Sequence, residues 1–383
     1  MRLEQLLTRL IETNSVNPWI TPGAPGEGDA AALLADWLGA IDGVEVTLDE
    51  AAPGRPNVIA RVKGAEAGRT LCCNVHTDTV GSLAWEDRAF VPRRDGDNII
   101  GLGAADNKGQ CAALAIAVER LAASPPPGEF VAVFAIDEEG PSVGTHHLVK
   151  DLVVDAALVL EPIGIGNACV AHQGFGSLDL VVKAAAAHGL ADDAVDAGVQ
   201  MAGLIAGLVE IDQTILAPNP HPLVGKAFFH TSFLRGGTDY GTYPAELTLG
   251  FEFGTVPGET LADRVGQIEA MIAERRRSDP TLDAEVRVAL DNEPFQAAGH
   301  EELLTAFSGA TEGVTGRAAT TMGFNSWTDA AVMQTAGIPT VLVGGDGGDL
   351  HAIDEWASLS SLADLAAILD GTARRFQMLR SDA

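Results

Sequence analysis

The chain has 383 residues, of which 53 are Asp or Glu and 24 are Lys or Arg, so its formal net charge at pH 7 is −29. This acidic balance argues against a nucleic acid or an anionic membrane as a partner, because both attract basic surfaces. Hydrophobic residues make up 46% of the chain and the mean hydropathy is +0.15, which allows a large core and argues against disorder.

The sequence also indicates where the protein is located and what its cysteines do. No apolar run approaches the roughly 20 residues that a membrane-spanning helix needs, and the charged, amphipathic N-terminus is unlike a secretion signal. We therefore expect a soluble, cytoplasmic protein. The four cysteines contain no CxxC pair, so we expect them in the core and not in a thiolate metal site or a disulfide framework.

Helices and strands alternate along residues 1–174. Helices are predicted over the N-terminal residues and over 29–40, 110–123 and 144–150. Strands are predicted over 44–48, 57–62, 71–75, 130–136 and 156–160. The strand at 130–136 is apolar throughout, which is typical of a strand buried on both faces of a parallel sheet.

The pattern changes near residue 174. Residues 175–290 show the order strand, helix, strand, strand, helix, strand, which is the ferredoxin-like order. The α/β pattern then resumes, with helices from residue 301, over 329–336 and over 359–379, and a strand over 339–343. The simplest architecture is an α/β domain formed by residues 1–174 and 291–383, interrupted by an inserted α+β domain at 175–290.

Several polar residues come directly or shortly after apolar strands. His76, the pair Glu138 and Glu139, Glu161 and His351 all have this position, and Asp106 precedes a helix at the end of a glycine-rich turn. Ligands of open α/β sheets bind at the carboxyl ends of the strands, so these residues could converge on one edge. Each alone has an ordinary explanation, such as a hydrogen-bonded histidine or a solvated loop acid; together they favour a site.

Two imidazoles and several carboxylates without a thiolate suit Zn²⁺, Co²⁺ or Mn²⁺ in a hydrolytic site. A carboxylate shared by two metals about 3.5–4 Å apart is the usual two-metal arrangement. The adjacent Glu138 and Glu139 could supply one ligand and one general base. Asp78, two residues after His76, is placed to orient that imidazole.

These motifs, taken in order, resemble the M20 family of metallopeptidases and deacylases over essentially the whole chain. The matching motifs are HTDTV at 76–80, GLGAADNKG at 101–109, EEG at 138–140 with Gly144, Glu161-Pro162, Thr328-Asp329-Ala330, Gly337-Ile338-Pro339, and His351 with Asp354-Glu355. The resemblance implies a zinc-peptidase-like catalytic domain with a mixed central sheet. It also implies that the inserted block is a ferredoxin-like lid or dimerisation domain.

The resemblance further implies a dinuclear zinc site, with Co²⁺ or Mn²⁺ as other possible metals. Asp106 would bridge the two ions, His76 and Glu161 would complete one, and Glu139 and His351 the other. The resemblance also implies that Glu138 is the catalytic base and that the Asp106-Asn107 peptide is a strained, cis-type bond. His188 would reach the partner subunit's active site and stabilise an oxyanion.

The lid departs from the family pattern at two positions. Gly241 lies where the family has a substrate-binding Asn, and Gly254 lies where an Arg commonly follows the strand. These departures argue against the usual acyl-amino-acid preference, and Arg235 and Arg317 are the candidates to replace the missing groups. Leu102 replaces the Arg of the second motif, which we interpret as a local structural change.

We therefore hypothesise a homodimeric, dinuclear zinc amidohydrolase that cleaves the amide bond of an N-acyl amino acid. Cleavage of a dipeptide or short peptide, by aminopeptidase-type or carboxypeptidase-type action, is the nearest alternative. A dimeric binding protein that keeps the fold but has lost turnover is the alternative from another class. The missing Asn and Arg favour that alternative, and the full set of ligands with Glu138 argues against it.

Overall fold

A computed structural model describes residues 2–85, 87–216 and 220–378 of the chain. Its contacts divide the chain into two compact units. Unit 1 contains residues 1–170, 297–322 and 328–383, and unit 2 contains residues 171–296 and 323–327. The predicted domain limits at 174 and 290, and the role of the inserted block as a lid or dimerisation domain, stay predictions.

The helices of the described residues are α1 (Arg2–Glu12), α2 (Gly28–Gly39), α3 (Gln110–Ala123), α4 (Val143–Leu148), α5 (Ala197–Ile211), α6 (Leu261–Ser278), α7 (Glu301–Thr315), α8 (Ala330–Thr335) and α9 (Leu359–Gln377). The strands are β1 (Val44–Ala52), β2 (Arg55–Lys63), β3 (Thr70–His76), β4 (Arg93–Asp95), β5 (Asn98–Ile100), β6 (Glu129–Ala135), β7 (Ala156–Leu160), β8 (Asn167–His172), β9 (Gly174–Lys183), β10 (Ala187–His188), β11 (Phe229–Gly236), β12 (Thr242–Tyr243), β13 (Glu246–Thr255), β14 (Asp283–Asn292), β15 (Phe295–Gln296), β16 (Thr320–Phe324), β17 (Thr340–Val343), β18 (Gly347–Gly348) and β19 (Trp356–Ser358).

The main sheet of unit 1 is mixed. Its strands follow the order β1-β2-β6-β3-β7-β17-β8. β6, β3, β7 and β17 are parallel to one another, whereas β1, β2 and β8 pair antiparallel to their neighbours. The predicted α/β fold with a mixed central sheet is confirmed.

The core of unit 1 forms where the apolar faces of α1, α3, α7 and α9 meet the sheet. The parallel strands are buried along almost their full length, which explains why their sequences are apolar without alternation. The four cysteines are buried, as predicted, and none takes part in a disulfide. The last predicted helix is present as α9, and residue 379, where the prediction ended it, lies outside the described residues.

A second, small sheet of unit 1 consists of strands that the sequence analysis did not predict. β18, β19, β5 and β4 pair in that order. Each strand has only two or three residues, which is too short for an alternating pattern to be recognised. This small sheet places residue 355, directly before β19, beside the turn that carries Asp106.

Unit 2 has the predicted element order. β9, β11, β13 and β14 form an antiparallel sheet in the order β11-β13-β9-β14. α5 and α6 cover it, and the apolar side chains between them and the strands form a separate core. The segment Ala197–Leu216, α5 with its continuation, is long and apolar enough to span a membrane by length and composition, which corrects the expectation that no apolar run approaches this length. A core helix meets the same criterion, and Met201, Leu204 and Leu208 of α5 are buried in the unit 2 core.

Candidate metal centre

Three neighbouring parallel strands bring one histidine and three acids to one edge of the unit 1 sheet. β3 ends at His76 and lies between β6 and β7. Glu138 and Glu139 follow β6, and Glu161 follows β7 directly. Because β3 is parallel to both neighbours, the carboxyl ends of all three strands lie at the same edge.

The carboxylate of Asp106 lies between two imidazoles. Its Oδ1 is 3.1 Å from Nε2 of His76, and its Oδ2 is 3.4 Å from Nε2 of His351. Asp106 belongs to a π-helical turn, Ala104–Gly109, in which its backbone leaves the helical region and the peptide bond to Asn107 is cis. One carboxylate oxygen therefore faces each histidine.

Other carboxylates surround the two imidazoles. Nε2 of His76 is 3.7 Å from Oε2 of Glu138 and 3.7 Å from Oε1 of Glu161. Nε2 of His351 is 3.1 Å from Oε1 of Glu139. His76 is 2% exposed, whereas the side chain of His351 is 51% exposed, so the site is closed around His76 and open around His351.

Asp78 contacts both the histidine and the loop of the paired acids. Its carboxylate is 3.3 Å from Nδ1 of His76. The same carboxylate accepts hydrogen bonds from the backbone N–H groups of Glu138 (3.1 Å) and Glu139 (3.0 Å). Asn17, which the sequence analysis did not single out, donates its Nδ2 to Asp78 at 2.7 Å. Asp78 therefore ties the orientation of the ring to the position of the two glutamates.

The turn that carries Glu138 and Glu139 is held by a buried ion pair that the sequence analysis also missed. Asp137 has a left-handed backbone, with φ of 72°. Its carboxylate accepts from Nη2 of Arg55 at 2.7 Å, and its backbone N–H donates to Glu27 at 3.1 Å. Glu27 in turn pairs with Arg55 at 2.6 Å. These partners lie far apart in the sequence, so no local pattern could have indicated them.

Two further buried carboxylates lie near the site without facing the histidines. Asp329, in a motif that the resemblance matched, accepts from Ser142, Thr145 (2.6 Å) and Asn74 (3.0 Å). Glu355 accepts from the backbone of the Asp106 turn. Burial, followed by the nearby charge of Asp106, raises the pKa of Glu355 to about 7.

The histidines have pKa values above their ordinary range. Burial alone would lower the pKa of His76, but the charges of Glu138 and Glu161 and the hydrogen bond to Asp106 outweigh it and hold that pKa well above its usual value. Hydrogen bonds to Asp106 and Glu139 raise the pKa of His351 to about 11.

Three acids have pKa values above their ordinary range. Burial raises the pKa values of Glu138 and Glu161, and neighbouring negative charges raise them further. Burial and the charge of Asp106 raise the pKa of Glu139. The site therefore concentrates more negative charge than its two imidazoles neutralise. Such a surplus is what bound divalent cations would compensate.

The donor set fits metal ions. Two overlapping groups of side chains each place their ligand atoms within 4.8 Å of one another: His76 with Asp106 and Glu139, and His76 with Glu138 and Glu161. All the donors are imidazole nitrogens or carboxylate oxygens, which suit Zn²⁺, Co²⁺ or Mn²⁺. His351 adds a further donor beside Asp106 and Glu139. The residues at this edge therefore have the chemistry of a centre for one or two divalent ions.

Three other residues that the sequence analysis named as functional candidates lie outside this group of ligands. His188 is an exposed residue of β10 in unit 2, where its Nδ1 contacts the backbone N–H of Leu190 at 3.2 Å. Arg235, also in unit 2, places its guanidinium 3.9 Å from the centre of the Phe233 ring. Arg317 is exposed in unit 1. His188, Arg235 and Arg317 are not among the residues that converge on the metal centre within unit 1.

One of the two departures from the family pattern in unit 2 has a steric reason. A Cβ at Gly254 would lie 2.7 Å from both the backbone nitrogen and the ring Cδ1 of Phe228. The phenyl ring therefore occupies the space that a side chain at 254 would need. At Gly241 the nearest atom, Oδ1 of Asp239, would lie at 3.5 Å, so packing does not explain the glycine there.

Comparison with known proteins agrees with these observations. Residues 72–375 match the model of peptidase family M20/M25/M40. The chain is 31% identical over 371 residues to a succinyl-diaminopimelate desuccinylase of Methylobacterium nodulans, covering 90% of each chain.

Solved structures of low sequence identity share the fold. The chain matches an M20 family metallo-carboxypeptidase of Sulfolobus solfataricus with a TM-score of 0.81 and 16% identity, covering 99% of this chain and 100% of the other. It matches a dinuclear metal binding peptidase of the M20 family from Bacillus subtilis with a TM-score of 0.74 and 17% identity, covering 98% of each chain.

Proposed function

The chain belongs to peptidase family M20/M25/M40, a hydrolase family of amide and peptide bonds, and from this premise we propose that it is a dinuclear zinc amidohydrolase of N-acyl amino acids. The observation that carries the proposal is the carboxylate of Asp106, which offers one oxygen to the side of His76 and the other to the side of His351. A carboxylate shared by two sets of ligands is the usual arrangement of a two-metal site, and this supports the proposal.

In this proposal His76 and Glu161 hold one ion, Glu139 and His351 hold the other, and Asp106 serves both. Glu138 and Glu161 both have ligand atoms close to His76, and the family resemblance supports a ligand role for only one of them. Glu138 is 9% exposed and follows the left-handed Asp137. We assign Glu161 as the ligand and Glu138 as the catalytic residue.

Glu138 would move the protons of the reaction. Bound divalent ions, when present, would polarise the scissile carbonyl and acidify a water. Glu138 would accept the proton of the attacking water and donate it to the nitrogen of the leaving amine. Burial and neighbouring negative charge raise the pKa of Glu138 before any ion binds. Asp78 would fix the position of the His76 ring relative to the backbone of Glu138.

The acyl substrate is supported by the desuccinylase named among the relatives. Cleavage of a dipeptide or short peptide is the alternative. A metallo-carboxypeptidase among the structural neighbours, which shares the fold, supports this alternative. Metal analysis of the purified protein, followed by a panel of N-acetyl and N-succinyl amino acids against dipeptides and C-terminally blocked peptides, separates these cases. Hydrolysis of the peptides alone would replace the acyl-amino-acid assignment.

We also propose that the protein is a homodimer in which His188 completes the partner's active site. The family resemblance supports this role, and His188 is exposed in unit 2, as a residue that reaches another subunit must be. A dimeric binding protein without turnover is the alternative from another class. A protein that binds two ions per chain but hydrolyses no member of the panel would favour that alternative.

A further inference from the structure

The turn that carries Asp106 has backbone N–H groups that its own helix does not use. Gly103 has φ of 75°, and Asp106 and Asn107 both leave the helical region. N–H groups at the start of a helix need an acceptor from outside it. The position of the Asp106 carboxylate therefore depends on what binds the backbone of residues 103–106.

Glu355 supplies that acceptor. Its Oε1 accepts hydrogen bonds from the N–H groups of Ala105 and Asp106, each at 2.9 Å, and its Oε2 accepts from Gly103 at 3.1 Å. Glu355 is 1% exposed. Hydrogen bonds from backbone N–H groups to a carboxyl oxygen are strengthened in a dry environment, because water does not compete for them.

The backbone of Glu355 is itself fixed. Its carbonyl oxygen accepts from the N–H of Gly101 at 3.1 Å, and β19, which follows directly, pairs with β5. Lys108, 1% exposed, interacts electrostatically with Glu355 and donates its Nζ to the carbonyl of Thr13 at 2.9 Å. The carboxylate therefore has a rigid base and a nearby opposite charge within the fold.

The same segment also carries His351. Nε2 of His351 lies 3.4 Å from Oδ2 of Asp106, while Glu355 holds the Asp106 N–H. The side chain and the main chain of Asp106 thus contact two residues of one short segment, 351–355. A shift of this segment would therefore move the His351 ligand and the Asp106 carboxylate together.

We propose that Glu355 is a positioning residue of the metal centre, which fixes the Asp106 turn so that the Asp106 carboxylate can serve two ions. The proposal rests on the two-metal centre proposed above. Glu355 contacts the backbone of a ligand and not the ions, so its effect should be on the affinity and geometry of the centre. Residues that orient metal ligands typically contribute about 10–100-fold to metal affinity.

The test compares metal binding by wild type, Glu355→Gln and Glu355→Asp. Gln keeps the length of the side chain but places an NH₂ donor against one of the N–H groups, and Asp is too short to reach all three. Asp354→Asn is the matched control, because it removes one negative charge from the neighbouring residue. The side chain of Asp354 is 53% exposed and pairs with Arg93, and Asn tolerates its left-handed backbone.

The metal-free proteins are titrated with Co²⁺, with metal content, dissociation constants and the visible Co²⁺ spectrum as readouts. We expect about 10–100-fold weaker binding of at least one ion and an altered spectrum in both Glu355 variants, with Asp354→Asn like wild type. Variants that bind two ions with wild-type affinity and spectrum would overturn the inference.

Two further outcomes are decisive. If both Glu355 variants fail to fold, as judged by circular dichroism, Glu355 belongs to the fold alone and the inference is overturned. A wild type that binds fewer than two ions would contradict the proposed function itself, which this titration measures before any variant is compared.

Discussion

The carboxylate of Asp78 lies 3.3 Å from Nδ1 of His76 and accepts hydrogen bonds from the backbone N–H groups of Glu138 and Glu139. One buried acid thereby connects two strand ends, since His76 ends β3 and the glutamates follow β6. A change at Asp78 should disturb the histidine ligand and the paired acids at once.

Asp78→Asn should weaken metal binding by about 10–100-fold, because the amide NH₂ would oppose backbone N–H donors and loosen the His76 ring. The readout is metal content after dialysis against graded chelator concentrations. Asp49→Asn is the control, because it also removes one negative charge. Among the described residues, the side chain of Asp49 pairs with the partly exposed His147, away from the metal centre. Equal metal retention by the two variants would contradict the orienting role.

Gly254→Ala should lower the free energy of unfolding by about 1–3 kcal/mol, because the new Cβ would overlap Phe228. Urea denaturation of the purified variant measures this. Gly266→Ala is the matched control in the same unit: it is exposed in α6, its Cβ would meet nothing within 4 Å, and a helix favours Ala over Gly by about 1 kcal/mol. Equal stability of Gly254→Ala and wild type would refute the steric account.

Asp97→Ala should destabilise the protein in a pH-dependent way. The Asp97 carboxylate accepts from the hydroxyls of Ser358 and Ser360, each at 2.7 Å, at the start of α9. These bonds lower its pKa in the folded state. The stabilisation is therefore fully present above the ordinary Asp pKa and is lost as the pH falls through the folded-state pKa.

We expect a loss of about 0.5–1 kcal/mol at pH 7, because Asp97 is exposed to solvent. The loss should shrink below about pH 4. Thermal unfolding at pH 7 and at pH 3 measures both values. Asp95→Ala, an exposed acid of the same hairpin, is the control. A difference between wild type and Asp97→Ala that stays constant across this range would show that the charge of Asp97 is not the cause.

Mixed dimers test the proposed role of His188. Glu138→Ala and His188→Ala should each be inactive alone, whereas mixing the two chains under dissociating conditions should restore about one quarter of wild-type activity, because a mixed dimer contains one complete site. Activity after dilution back to native conditions is the readout. Mixed samples no more active than the parents would remove the cross-subunit role.

The sequence predicted much of the fold and the residues at the sheet edge for one physical reason. Strands buried on both faces are recognisable as short apolar runs, and polar residues directly after them must leave the core. His76, Glu138, Glu139 and Glu161 were recognised in this way, and the parallel order β6-β3-β7 brings them together.

The residues that support the site could not be predicted in the same way. Glu355 bonds to residues about 250 positions away, and Arg55 reaches Asp137 across 82 positions. No periodicity connects such partners, and the strands β18 and β19 that carry this part of unit 1 are too short to show a pattern. The roles of the ligands came from the family resemblance and stay proposals.

The central claim is that Glu138 performs proton transfer beside a centre that other residues build. The most direct measurement is kcat of Glu138→Ala on whichever panel substrate the wild type hydrolyses, together with its metal content. We predict a loss of about 10²–10⁴-fold or more in kcat, with about two ions per chain retained. Glu138→Ala that keeps wild-type kcat with the same metal content would contradict the mechanism.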